Sequence, residues 1–215
     1  MRVDVIIPAY NEARTIGAVV SVLKSCPLVD RIHVVDDGSR DDTAAIAGQA
    51  GAVVHVHPVN QGKTGALITG AHAATAEVII LLDGDLLGLE SSHVESLIHP
   101  IKDGLCAMTI GVFQDGRWIT DLSQKLTPFL NGQRALVRGL LGGLEGAEHL
   151  RYAADTLLSR YAKLIEARVE LIPLHGLTHV MREEKIGLVR GFFSRLIMYF
   201  QVCKGFFWRF PGAKG

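Results

Sequence analysis

The chain has 215 residues, which is enough for one well-buried α/β domain. Its 22 basic and 22 acidic residues give a formal net charge of zero, so no bulk electrostatic field selects nucleic acid as a partner. The three cysteines are odd in number and unevenly spaced, which is typical of reduced core thiols. No apolar stretch reaches the length of a membrane span and no signal peptide precedes the first strand pattern, so we expect a cytoplasmic protein.

The N-terminal part of the chain alternates short apolar runs with helical patterns. The apolar runs lie at residues 5–7, 32–35, 53–56 and 78–82. The first run is expected to break into a loop at Pro8, and Asp41 and Asp42 are expected to open the second helix at its positive end. This order of strand, loop and helix predicts a parallel sheet with right-handed crossovers.

Two carboxylates, Asp83 and Asp85, follow the most apolar of these runs and are separated by Gly84. The carboxyl edge of an open α/β sheet is where such proteins bind ligands. Paired carboxylates suit a hard divalent cation, and such a cation suits a diphosphate. Alone the triplet is weak evidence for a metal, because Asp and Gly are ordinary turn residues.

Four motifs occur in one order between residues 3 and 87. They are Pro8-Ala9-Tyr10-Asn11-Glu12, Asp36-Asp37-Gly38-Ser39 with Asp41 and Thr43, Asn60-Gln61-Gly62-Lys63, and Asp83-Gly84-Asp85. Together they resemble the GT-A glycosyltransferases of family 2. The resemblance implies a Rossmann-like GT-A fold, with a mostly parallel central sheet and helices on both faces. It also implies one domain over residues 1–215, with a nucleotide-binding half (1–87), an acceptor half (88–185) and a basic aromatic C-terminal helix (186–215).

The activity implied by the resemblance is metal-dependent transfer of a hexose from a nucleotide-diphospho-sugar, most simply a UDP-sugar. The residues that would bind the nucleotide are Pro8, Ala9, Tyr10, Glu12, Asp37, Gly62, Lys63, Asp83 and Gly84. Asp37 would hydrogen-bond the uracil or the ribose. Lys63 would approach the phosphates or the donor sugar as a compact positive charge and act as a catalytic residue, although a lone lysine at a helix start is commonly a surface residue.

The same resemblance implies a metal site. Asp85 would ligate Mn²⁺ or Mg²⁺ directly, while Asp83 would lie nearer the ribose or the sugar. His179 matches the place from which some GT-A enzymes return a histidine to the metal, and an imidazole beside carboxylates would favour Mn²⁺. A hydrogen-bonded loop histidine is the alternative for this residue.

The acceptor half contains three candidates, Gly132, Arg134 and Asp155. Arg134 would receive a phosphate or carboxylate of the acceptor as a bidentate donor, or would simply lie on a helix face. Asp155 would be the general base of an inverting enzyme, or would orient the acceptor in a retaining one such as the glucosyl-3-phosphoglycerate synthases, which this chain also resembles. The acceptor, a phosphate-bearing small molecule or a lipid-linked phosphate, stays open. A Gly-rich segment at residues 139–146 is expected to form a flexible loop.

The C-terminal segment mixes basic and aromatic residues and contains no acid after Glu184. Such a helix can lie in a membrane interface, or it can pack on the sheet or on a second subunit to form a homodimer. Two functions other than catalysis also stay open. One is a nucleotide-binding relative without activity, and the other is a phospho-accepting receiver-like signalling domain, although the acidic pair of a receiver follows the first strand and not the second.

Overall fold

The computed structural model describes residues 1–114, 132–179, 205, 208 and 210. The strands of this part are β1 (Val3–Ala9), β2 (Arg31–Asp36), β3 (Val53–Val56), β4 (Val78–Leu81), β5 (Leu86–Leu87), β6 (Met108–Gln114), β7 (Arg134–Val137), β8 (Val169–His175) and β9 (Thr178–His179). The α-helices are α1 (Ile16–Ser25), α2 (Thr43–Ala50), α3 (Lys63–Ala73), α4 (Ser91–Lys102) and α5 (Ala154–Leu164), with a 3₁₀ helix at Arg138–Leu144.

Seven of these strands form one sheet in the order β3-β2-β1-β4-β7-β6-β8. The pairs β1–β2, β2–β3, β1–β4 and β6–β8 are parallel, whereas β7 runs antiparallel to both β4 and β6. The carboxyl ends of β1, β2 and β4 therefore lie at one edge, together with the beginning of β7. The predicted α/β fold with a mostly parallel sheet is confirmed.

The two faces of the sheet carry separate cores, because successive side chains of a strand point to opposite sides. Ile7 of β1 lies in a cluster with α1 residues such as Leu23 and α4 residues such as Leu97. Its neighbour Ile6 lies in the other cluster, with Leu67 of α3. Helices thus cover both faces, and the burial of each such Leu or Ile side chain stabilises the fold by about 1.5–3 kcal/mol.

The third helix lies very close to β1 because of a glycine at the point of contact. A Cβ added at Gly70 would lie 2.2 Å from Cγ2 of Ile6, far inside van der Waals contact. The absence of a side chain lets α3 lie flat on the sheet. This packing fixes the direction from which the first residue of α3, Lys63, reaches the edge of the sheet.

The first strand does not end at Pro8, contrary to the sequence-based prediction, but continues to Ala9. The carbonyl of Ile6 accepts a hydrogen bond from the Leu82 amide on the β4 side, and Pro8, two residues further along, has its nitrogen on the same side. Because β4 has ended by this point, no ladder hydrogen bond is lost where proline lacks its N–H. Pro8 still pairs with Val35 of β2 on the other side.

The Gly-rich segment at 139–146 is also not the flexible loop that we predicted. Most of it is the 3₁₀ helix, and Leu140, Leu141 and Leu144 are buried in the second core. These apolar side chains recur at helical spacing on one side of the segment. Their burial outweighs the low helix propensity of the intervening glycines.

The predicted C-terminal helix at 186–215 lies outside the described residues, except for three positions. Two of these, Trp208 and Phe210, pack against the second core, with ring centroids 5.1 Å from His149 and 5.3 Å from Tyr161 respectively. Among the described helices, none combines the length and the apolar character that a bilayer span requires.

The cysteines that the structure describes fit the prediction of core thiols. Cys26 and Cys106 are free and buried. Burial raises the pKa of both thiols, which keeps them protonated and unreactive. Cys203 lies outside the described residues.

Candidate active site

The strongest cluster of charged side chains lies at the carboxyl edge of β4. Lys63, the first residue of α3, places its Nζ 2.8 Å from Oδ1 of Asp83 and 3.1 Å from Oδ2 of Asp155. Asp83 follows β4, and Asp155 lies in the first turn of α5. One ammonium group therefore links the predicted nucleotide-binding half to the predicted acceptor half. The side chains of the three residues are 22%, 23% and 14% exposed, so the cluster is partly closed to solvent but reachable.

The charge state of Lys63 is fixed by its two partners. Burial acts to lower the pKa of the ammonium group, but the carboxylates of Asp155 and Asp83 outweigh it, and the pKa lies above its ordinary value. Lys63 is therefore a permanent cation in this site. It serves as a positive charge and a hydrogen-bond donor, and it does not serve as a base.

Two consecutive side chains support the carboxylates from behind. Gln133 is fully buried, and its Nε2 donates to Oδ2 of Asp83 at 3.0 Å. Arg134 is also fully buried; its Nη1 donates to the carbonyl of Asp155 and to Oγ of Ser159, each at 3.2 Å, and its Nη2 lies 3.8 Å from Oδ1 of Asp155. Burial lowers the pKa of Arg134, and the nearby carboxylate of Asp155 opposes this effect.

We predicted from the sequence that Arg134 would contact the acceptor. The structure instead buries this residue away from the surface. The residue begins β7, and its guanidinium passes beneath α5, where it holds the start of that helix. It therefore holds Asp155 in position and is closed to solvent. Gln133, to which we assigned no role from the sequence, is a second positioning residue. Its contact with Asp83 depends on the antiparallel pairing of β7 with β4, which the sequence does not reveal.

Two buried acceptor atoms of this cluster lack a hydrogen-bond donor among the described residues. They are Oδ1 of Asp155 and Oε1 of Gln133. A buried polar atom without a partner is costly, and such atoms in a charged cleft are commonly completed by a ligand or by water. The cluster therefore has spare acceptors for a hydroxyl group.

Gly132, another predicted acceptor residue, packs directly against the ion bridge. A Cβ at this position would lie 2.5 Å from Nζ of Lys63 and 2.6 Å from Oδ2 of Asp83. Only glycine leaves these two groups in contact. The lack of a side chain at Gly132 thus lets Lys63 and Asp83 approach each other, and the backbone of Gly132 lines the cluster.

The first two motifs form one hydrogen-bonded unit beside the cluster. Asn11, in a left-handed conformation with φ of 56°, accepts from the Arg40 amide at 2.8 Å through its side chain, while its own amide donates to Oγ of Ser39 at 2.9 Å. The amide of Glu12 donates to Oγ1 of Thr43 at 2.8 Å. The polar residues of the second motif thus hold the loop of the first motif in place.

This arrangement puts the predicted base-binding residues on one surface. Ala9 is buried at the end of β1, Pro8 and Glu12 are half-buried, and Tyr10 is 43% exposed. The fourth motif lies beside them, because an ideal Cβ at Gly84 would be 3.5 Å from side-chain atoms of both Ala9 and Glu12. The first and fourth motifs, far apart in sequence, therefore meet at the same edge.

Asp37 is buried, and its carboxylate holds the loop of the third motif. Oδ1 accepts from the Gln61 amide at 2.8 Å and lies 2.8 Å from Nδ1 of His57, while Oδ2 accepts from the Gly62 amide at 2.7 Å. His57 was missed in the sequence analysis, since no spacing pattern marks it. The hydrogen bond from Asp37 to a nucleoside stays a prediction, whereas its contacts with this loop are part of the fold.

A small second sheet places the backbone segments of the two predicted metal ligands side by side. β5 pairs antiparallel with β9, and Leu86 is opposite His179. The backbone of His179 is therefore next to that of Asp85, whose side chain is half-buried. Among residues 1–114 and 132–179, no three His, Cys, Asp or Glu side chains form a metal-binding group. The carboxylate of Asp85 nevertheless suits a Mg²⁺-type or Mn²⁺-type ion, because such an ion commonly takes one or two carboxylates and shares phosphate oxygens with a substrate.

The fold and the edge cluster define a glycosyltransferase of the GT-A type. The family model described as glycosyl transferase family 2 matches residues 4–166, and the chain belongs to this family. It is 35% identical to Protein RfbJ of Shigella flexneri over 113 residues, which are 53% of this chain and 86% of that protein. It is also 35% identical to glucosyl-3-phosphoglycerate synthase of Mycolicibacterium smegmatis over 108 residues, which are 46% of this chain and 36% of the synthase.

Solved structures extend the likeness over nearly the whole chain. Glucosyl-3-phosphoglycerate synthase from Mycobacterium tuberculosis, in complex with phosphoglyceric acid, superposes with a TM-score of 0.74 at 25% identity, covering 95% of this chain and 78% of the synthase. A complex of the same synthase with Mn²⁺, uridine diphosphate and phosphoglyceric acid also has a TM-score of 0.74 at 25% identity, with 95% and 77% covered.

Proposed function

We propose that this chain transfers a hexose from a UDP-sugar to a phosphate-bearing acceptor with the help of Mn²⁺ or Mg²⁺. The observation that carries the proposal is the bridge that Lys63 makes between Asp83 and Asp155, because it joins the donor side to the acceptor side at one point. The chemistry of the similar synthase supports it, since that enzyme is known in complexes with Mn²⁺, UDP-glucose and phosphoglyceric acid.

On the donor side, Asp85 and His179 would hold the ion, and the diphosphate would complete its coordination. An ion bound there would supply positive charge to offset the charge that develops on the leaving diphosphate. Lys63 adds a fixed positive charge beside the donor, since its ammonium group stays protonated. Pro8, Ala9, Tyr10 and Glu12 would face the base and ribose, and Asp37 and Gly62 would complete the nucleoside side. Asp83 would contact the ribose or the sugar.

On the acceptor side, Asp155 would accept a hydrogen bond from the attacking hydroxyl through the Oδ1 atom that has no donor among the described residues. Gly132 would form the wall next to it. The phosphate of the acceptor would need a cation other than Arg134, because that guanidinium is fully buried. In this arrangement Asp155 orients the hydroxyl, and Lys63 and Arg134 hold its carboxylate in place.

The test is metal-dependent sugar-nucleotide turnover. The protein is incubated with UDP-, GDP- and ADP-glucose, with and without Mn²⁺, and release of the free nucleotide is measured before and after addition of phosphoglyceric acid or a polyprenyl phosphate. We expect Mn²⁺-dependent release from UDP-glucose that rises with one of the acceptors. Asp85→Asn should lose both turnover and Mn²⁺-assisted binding of UDP, whereas Asp103→Asn, on an exposed helix end, should lose neither. Calorimetry that shows no Mn²⁺-assisted uptake of any sugar nucleotide would contradict the proposal.

The C-terminal segment is proposed to pack on its own domain and not on lipid, within a protein that works in the cytoplasm. Arg160 of α5 lies over the ring of Phe210 at 5.3 Å, and Trp208 contacts the second core. Such contacts partly bury Trp208 and Phe210, two of the rings that an interfacial helix would insert into the headgroup region. Flotation with anionic liposomes checks this, and co-migration of the protein with the vesicles would contradict it.

A further inference from the structure

His57 lies in a buried hydrogen-bonded chain behind the loop that carries Lys63. It is 7% exposed, its Nδ1 is 2.8 Å from Oδ1 of Asp37, and its Nε2 is 2.9 Å from Oγ1 of Thr69 in α3. The backbone amide of His57 also donates to the carbonyl of Asp36 at 2.9 Å. The imidazole is therefore held at both ring nitrogens, and the backbone of the same residue is held at the end of β2.

The direction of the hydrogen bond to Asp37 follows from the chemistry of the groups. An ionised carboxylate only accepts hydrogen bonds, so Nδ1 of His57 carries the proton whichever form the rest of the ring takes. Oδ1 of Asp37 then receives two donors, from His57 and from the Gln61 amide, and Oδ2 receives the Gly62 amide. Without His57, the carboxylate would be free to rotate away from the two amides.

The other side of the loop is held by the segment before α5. Nη1 of Arg151 donates to the Asn60 carbonyl at 3.0 Å, and the Thr64 amide donates to the Arg151 carbonyl at 3.0 Å. Gly62, with φ of 87°, packs so tightly that a Cβ would lie 2.6 Å from Cβ of Arg151. The loop is thus clamped between Asp37 and Arg151, and Lys63 is the next residue along the chain.

We propose that His57 is a positioning residue of the transferase. By orienting the Asp37 carboxylate toward the amides of Gln61 and Gly62, it fixes the backbone from which Lys63 reaches Asp83 and Asp155. Its effect on turnover rests on the proposed function, but its effect on the loop does not. Because a misplacement of about 1 Å at a charged group can cost about 100-fold in rate, loss of His57 should lower kcat by roughly 10- to 100-fold.

The experiment compares three replacements of His57 with one control. His57→Asn puts a donor amide where Nδ1 lies and should keep the bond to Asp37, whereas His57→Gln reaches toward Thr69 and His57→Leu keeps neither bond. His33→Leu is the control, because His33 is another buried histidine of this sheet that does not contact the loop. Hydrogen exchange of the Gln61 and Gly62 amides is measured by NMR for each variant, together with kcat and KM for the donor.

We expect exchange at both amides to accelerate at least about tenfold in His57→Leu and His57→Gln, and to stay near the wild-type rate in His57→Asn and in the control. The loss in kcat should follow the same order, with rescue by Asn. If His57→Leu fails to fold, the comparison of amide exchange in His57→Asn and His57→Gln still tests the proposal. Unchanged protection of both amides in the Leu or Gln variant would overturn the proposal. A wild-type protein without turnover would remove the proposed function alone, since the exchange rates would still test His57.

Discussion

The replacement Lys63→Met tests the central charge cluster most directly. It keeps the aliphatic stem and removes the charge that separates Asp83 from Asp155. Both carboxylates contact one nitrogen atom, at 2.8 and 3.1 Å, so their contacting oxygens are no more than about 6 Å apart. Two full negative charges at this separation repel by about 3 kcal/mol at an effective dielectric constant of about 20. Because both side chains are partly exposed, screening reduces the expected loss in the free energy of unfolding to about 1–2 kcal/mol.

The assay is urea denaturation of the wild type, Lys63→Met and the control Lys102→Met, which changes an exposed lysine of α4. The variant Asp83→Asn, combined with Lys63→Met, should recover most of the loss, because it removes one of the two facing charges. A single Lys63→Met variant as stable as the wild type, or a double variant that recovers nothing, would refute the electrostatic reasoning. Turnover should fall in Lys63→Met, while the control keeps it.

The pH dependence of this stabilisation has a defined sign. Burial acts to lower the pKa of Lys63, but Asp155 and Asp83 raise it above the value of about 10.4 that a lysine has in the unfolded chain. The stabilisation by Lys63 is therefore fully present below about pH 10.4. It is lost only as the pH rises through the higher pKa that Lys63 has in the folded protein. The stability difference between the wild type and Lys63→Met should accordingly be constant from about pH 6 to about pH 9.

Three further predictions concern single positions. Gly70→Ala should lower the free energy of unfolding by about 1–3 kcal/mol in urea denaturation, since its methyl group would lie 2.2 Å from Ile6; an unchanged midpoint would contradict this. Gly132→Ala should reduce turnover at least about tenfold with a small change in melting temperature, because its Cβ would lie 2.6 Å from Oδ2 of Asp83; full activity would count against the close packing. Burial lowers the pKa of His33 below its ordinary value of about 6.5, so stability present above that pH is lost as the pH falls through the folded pKa. His33→Leu should therefore flatten the acid limb of the stability curve, and an identical limb in both proteins would exclude His33 as its source.

The sheet could be predicted from the sequence because its strands are short, apolar and separated by helical patterns. Runs such as 78–82 are apolar throughout, as expected for strands buried on both faces. The antiparallel direction of β7 could not be predicted from the same pattern. Residues 134–137 are few, and the helical pattern that follows them gives no sign that they insert between β4 and β6.

The positions of side chains are easier to predict where a motif fixes the backbone than where only the residue type is known. Lys63, Asp83 and Asp155 meet because strand ends and helix starts converge at one edge of the sheet. Arg134 was assigned to the acceptor because an arginine suits a phosphate. Spacing along the chain does not reveal that a residue at the start of a strand points into the core, where the guanidinium supports α5 instead.

The charges at this edge of the sheet imply that the cation and the sugar nucleotide depend on each other for binding. Lys63 and Arg134 lie beside Asp83 and Asp155 at this edge, and Asp85 adds a third carboxylate to it. A bare diphosphate would approach this surface against an unfavourable potential, whereas a divalent cation reverses the sign for it. Cation and sugar nucleotide should therefore bind with strong positive cooperativity. By thermodynamic reciprocity, each should tighten the other by the same factor.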